Sequence, residues 1–134
     1  PDGRWLAYES DESGESEVYV RPFPGSGAKV LVSQNGGAEP VWSRDGHELF
    51  YRGFGQQGIP LVAVAVRAAP DFEVLSRRTL FDAADFEGAQ PHANYDVSRD
   101  GRSFVMVRQG PLAEMVLVQN WAEEARRRGA AGLK

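Results

Sequence analysis

The chain has 134 residues, 42% of them hydrophobic, and a formal charge of −4, the profile of one folded unit with a packed core. Its acidity excludes a general nucleic-acid binder, because phosphate recognition draws affinity from a basic surface that releases counterions, and the basic residues cluster only at Arg126, Arg127 and Arg128. The lack of cysteine excludes disulfides, thiolate metal sites and cysteine nucleophiles, and no run of about 18 apolar residues is present to span a bilayer.

In chain order, Pro1-Asp2-Gly3-Arg4 is turn chemistry and nothing like a signal peptide, so the sequence reads as a fragment of a longer protein that enters in the middle of a turn. An apolar strand at 5–8 follows, then a polar hairpin at 10–14 and strands at 18–20 and 29–32. The next unit shows strands at 40–43, 48–52, 61–66 and 78–81, with Arg44-Asp45-Gly46 as the turn between the first two. A third unit carries the turn Arg99-Asp100-Gly101 and a strand at 115–119. A short helix is predicted at 120–128: Asn120 caps it, Glu123 completes a capping box, the arginines suit its C-terminal end, and Gly129 stops it.

These units are copies of one another. Asp2-Gly3, Asp45-Gly46 and Asp100-Gly101 align, and 16 residues beyond each Asp come Val18, Leu61 and Val116, each opening a short apolar strand. The period is 43 residues from Asp2 to Asp45 and 55 from Asp45 to Asp100, which places two six-residue insertions between strands, before Leu80 and before Val97. A repeated four-stranded antiparallel unit of this length is the signature of a propeller blade. The expected fold is therefore all-β: a partial β-propeller with units at about 1–33, 34–83 and 93–119, the first incomplete, and a C-terminal helix. Each unit needs neighbours on both faces, so the expected partners are missing blades of the same protein, with self-association through open blade faces as a further route.

Pro1 to Tyr8, Ser10 to Gly14 and Glu17-Val18-Tyr19-Val20 resemble the TolB-like, WD-type propeller repeat over nearly the whole chain. More narrowly, Val20-Arg21-Pro22-Phe23-Pro24, Asn94-Tyr95-Asp96-Val97-Ser98 and Val118-Gln119-Asn120-Trp121 are similar to the C-terminal propeller region of bacterial eukaryotic-like serine/threonine kinases. That resemblance implies a non-catalytic sensory or scaffold module, on the extracytoplasmic or periplasmic side, binding a protein or small-molecule ligand. Two alternatives are the gating propeller of a prolyl-oligopeptidase-type serine peptidase and a TolB-like periplasmic protein-interaction propeller. The predicted terminal helix argues against the peptidase, whose chain continues into a hydrolase domain. Arg44 and Arg99 stand where the repeat carries proline, and no kinase motif is present.

Individual motifs point to structure more than chemistry. Gly53-Phe54-Gly55-Gln56-Gln57-Gly58 spells G-x-G-x-x-G, but a strand follows in place of the helix that a dinucleotide site requires, so a hairpin loop is expected and no cofactor. The acidic run Asp11, Glu12, Glu15 and Glu17 reads as a solvated hairpin and not a calcium loop, and His47 and His92 lack the spacing of a zinc helix, so no metal is expected. Trp5, Trp42 and Trp121 are expected in the core. Asp2, Gly3, Asp45, Gly46, Asp100 and Gly101 are assigned to turns, no residue is assigned to catalysis, and the candidate binding surface is the loop carrying Gln90, His92 and Asn94.

Overall fold

A computed structural model describes residues 1–88, 92–108, 110 and 114–119. The helix predicted at 120–128, Trp121 and Gln90 lie outside the described residues. The rest is all-β: ten strands in three antiparallel sheets.

The first sheet is β1 (Trp5–Ser10), β2 (Glu17–Pro22) and β3 (Val30–Leu31), in that order. The second is β4 (Gly37–Trp42), β5 (Glu48–Gly53), β6 (Pro60–Arg67) and β7 (Glu73–Asp82). The third is β8 (Tyr95–Val97), β9 (Ser103–Arg108) and β10 (Glu114–Gln119).

Strand alternation puts successive side chains on opposite faces, and both faces of the second sheet are apolar. Leu49, Tyr51, Val62, Val64 and Val66 pack with Val18 and Val20 of the first sheet, with Val32 just after it and with Phe72. Phe50, Leu61, Ala63 and Leu80 pack on the other side with Tyr95, Phe104 and Met106 of the third sheet. The near-continuous apolar runs of β5 and β6 are what a sheet covered on both sides requires.

Trp5 and Trp42 are partly buried against the first of these clusters, with ring centroids 5.4 and 6.2 Å from Phe72, and the Trp5 indole N–H donates to the Ala68 carbonyl at 3.0 Å. The Gly53–Gly58 stretch connects two strands as a hairpin loop, with the Gly55 N–H donating to the Gly58 carbonyl at 3.2 Å. In the acidic hairpin, the Gly14 N–H donates to the Asp11 carbonyl at 2.8 Å, and Glu12 pairs with Lys29 across the sheet edge.

The three Asp-Gly turns share one geometry. Ser43 Oγ donates to Asp45 Oδ1 at 2.7 Å, which also accepts the His47 N–H at 3.0 Å, while Ser43 Oγ accepts the Glu48 N–H at 2.9 Å. Ser98, Asp100, Arg102 and Ser103 repeat the pattern at 2.6, 3.1 and 3.0 Å, and Asp2 Oδ1 accepts the Arg4 N–H at 3.0 Å. Gly3, Gly46 and Gly101 have φ of 75°, 75° and 70°, a left-handed conformation that only glycine adopts without strain.

The hydrogen bonds from Ser43 and from the His47 backbone hold the Asp45 carboxyl below its ordinary 3.8. A group whose folded pKa is depressed contributes stability above its unfolded pKa and loses it as pH falls through the folded value. Asp45→Asn should therefore melt below the wild type at neutral pH, and the gap should begin to narrow near 3.8 and close as pH falls through the lower folded value. Thermal unfolding across that range checks this, and a gap independent of pH would count against it.

One feature departs from the sequence reading. The first insertion does not form a loop alone: it lengthens β6 and β7, so that β7 has 10 residues where β3 has 2. The third sheet keeps the spacing of 16 but not the register of the other two. Glu9 pairs with Val18 and Arg52 with Leu61, but the equivalent Val107 pairs with Met115 and not with Val116. That hairpin is one residue shorter, and a one-residue shift turns every side chain of the strand to the opposite face. Val116 consequently packs toward the second sheet.

Candidate functional site

The sheets meet around Glu39, a charged residue only 5% exposed. It sits in β4 where the ladder to β5 breaks between Ala38 and Val41, with φ of 56°. A bulge of this kind re-aims a side chain out of the strand's alternation. Here it directs the carboxylate toward Arg52 of β5, with Nε 3.5 Å from Oε1 and both side chains 4% exposed.

The remaining guanidinium donors of Arg52 reach three backbone carbonyls of the segment after β7: Glu87 at 2.9 Å, Ala83 at 3.2 Å and Phe86 at 3.0 Å. Five donors in a fixed fork suit such a cluster, which lysine could not match. Glu39 Oε2 accepts the Asn94 N–H at 2.8 Å, and the Glu39 carbonyl accepts the Tyr95 hydroxyl at 2.8 Å. On the other side the Glu39 N–H donates to Glu9 Oε2 of β1 at 3.3 Å, and Glu9 Oε1 accepts Ser16 Oγ at 2.8 Å.

Burial pushes the Tyr95 phenol well above its ordinary value, with the Glu39 charge adding to the effect and Arg52 opposing it. The hydroxyl therefore stays protonated and donates at any physiological pH. Gly88 closes over the pair, where a Cβ would stand 2.9 Å from Glu39 Oε1, so the packing admits no side chain without a shift.

This network positions an open cleft of about 640 Å³. Its walls are Tyr8, Glu9 and Asp11 from the first sheet and its hairpin, Pro40 beside Glu39, and His92 from the loop before β8. Of the loop residues proposed from sequence, His92 is exposed and lines the cleft. Asn94 holds the loop down through its backbone.

Glu9, Glu39 and Arg52 were not among the sequence candidates. Two signals could have found Glu39 and Arg52: Pro40 inside a strand, a residue that sheets tolerate at edges and bulges, and Arg52 after the apolar run Leu49-Phe50-Tyr51.

A second cleft, of about 450 Å³, lies at the other end of β1 and β4, lined by Trp5, Trp42, Val66 and Leu75 with Asp45 and His47 at its rim. Among the described residues, no group of three His, Asp or Glu side chains is placed to hold a metal ion, and no helix is long and apolar enough to cross a membrane. No protein-family model and no curated protein sequence matches the chain.

Proposed function

We propose that the three sheets are adjoining blades of a β-propeller and that the chain is a non-catalytic binding module whose ligand seats in the cleft beside Glu39. The blade reading is supported by the repeated Ser-Asp turns and by the side-chain directions. Ala7 faces the second sheet as its equivalent Phe50 faces the third, and Leu49 faces the first sheet as its equivalent Phe104 faces the second. Each sheet is thus related to the next by the same step. The resemblance of 20–24 and 94–98 to kinase-linked propellers favours the sensory or scaffold part of a receptor-like serine/threonine kinase.

The observation that carries the binding reading is the convergence of two sheets and the 92–94 loop on one residue, which fixes the cleft walls by hydrogen bonds shielded in whole or in part from solvent. Surfaces built from loops held by a rigid scaffold are where binding sites are found. The carboxylates of Glu9 and Asp11 suit a lysine or arginine side chain of a protein ligand.

Amide chemical shifts of the chain, followed during titration with a short Lys/Arg-containing peptide and with its Asp/Glu counterpart, test this. The cationic peptide should move Glu9, Asp11 and Ala93, and Asp11→Asn should weaken its binding about two- to fivefold, the scale of one exposed ion pair. Shifts confined to other surfaces, or equal binding of both peptides, would remove the cleft from the proposal.

A further inference from the structure

The two junctions inside the chain are built alike. At each, a face of the type Ala7, Val18 and Val20, repeated as Phe50, Leu61 and Ala63, meets a face of the type Leu49, Tyr51 and Val62 or, in the third sheet, Phe104 and Met106.

The outer surfaces of the first and third sheets belong to these same two types. On the first sheet, Leu6, Tyr8 and Tyr19 point away from the second sheet, and by the common register they are the equivalents of Leu49, Tyr51 and Val62. On the third, Val105, Val107, Met115 and Leu117 point outward and correspond to Phe50, Arg52, Leu61 and Ala63. These surfaces expose apolar side chains: Leu6 is 44% and Leu31 47% exposed on one, Met115 77% and Leu117 53% on the other. A sheet with one solvated face ordinarily alternates apolar inward and polar outward, and neither outer sheet does.

We infer that the outer face of the first sheet docks onto the outer face of the third sheet of a second copy of this chain. The pairing is head to tail, because each face resembles the internal partner of the other and not its own. Two copies bring together six of the described sheets, within the four to eight that close a ring, and two identical junctions between the same pair of copies close it as a dimer. The ligand cleft plays no part in this inference, so the two stand or fall separately.

Sedimentation of the full chain over a wide concentration range should reveal a species of twice the 14.7 kDa monomer mass. Leu6→Glu spoils one face and Leu117→Glu the other, at positions where the fold buries neither side chain. Each variant alone should stay monomeric, and an equimolar mixture should regain a heterodimer through the one junction left intact. Circular dichroism establishes that the variants fold; if either does not, Leu31→Glu and Met115→Glu perform the same test. A wild type that is monomeric at every concentration would overturn the inference, whether because other segments cover the faces or because they do not mate. A single variant that still dimerises by itself would also overturn it, since that requires a face to pair with itself.

Discussion

Arg52→Met should lower the free energy of unfolding by about 3–5 kcal/mol, the cost of stranding one partner of a buried ion pair. The substitution keeps much of the side-chain volume, so little of the loss comes from a cavity. What it removes is the cation beside Glu39 and the donors to three backbone carbonyls, at Ala83, Phe86 and Glu87. The carboxylate would remain in a site where 4% of the side chain meets solvent. Glu39→Gln should be milder, because an amide oxygen can still accept from the Asn94 N–H and the arginine keeps its carbonyls. In the double variant the two losses should fall short of their sum, since neither charge is then left facing an absent partner. Urea unfolding of the four proteins measures the cycle. A loss below about 1 kcal/mol for Arg52→Met, the range of an exposed pair, would mean that water reaches the site and that the pair is not the joint between sheets.

The same residues show how far the sequence could be read. The turns were legible because their chemistry is local: Ser43, Asp45 and Gly46 satisfy one another within a few residues, and the pattern recurs at Ser98, Asp100 and Gly101. Strand positions followed from apolar runs between those turns. Glu39 and Arg52 were opaque for the opposite reason. Their meaning depends on a bulge and on contacts to residues as distant as Ala83 and Asn94. The segment carrying His92 and Asn94 was legible as a loop but not in its contacts. His92 lies in the cleft as a loop residue should, but Asn94 contributes its backbone N–H, which no side-chain pattern announces. The register of the third sheet was not legible, because one residue removed between β9 and β10 leaves the apolar character of the strand unchanged while reversing its faces.

That reversal leads to the second large effect. Phe104→Ala should cost about 3–5 kcal/mol, the range for truncating a buried aromatic ring in a packed core. Phe104 is fully buried between the second and third sheets, with ring centroids 5.1 Å from Phe50 and 5.9 Å from Phe81, both edge-on, and 6.4 Å from Tyr95. Edge-to-face contacts of this kind add to the loss beyond the area buried. Its neighbour Val105, on the opposite face of the same strand, is 36% exposed, and Val105→Ala should cost about 0.5 kcal/mol or less in dilute solution. The contrast across one peptide bond fixes the facing of β9. On β10, Val116→Ala should be the more damaging change and Leu117→Ala the milder one, although leucine is the larger side chain, because Val116 packs on the buried cluster and Leu117 is 53% exposed. If Leu117→Ala proved the more costly of the two, β10 would follow the register of the other two sheets. Leu117 would then face the second sheet's partner surface as Val62 does, and the apolar outer face of the third sheet would have to be redrawn.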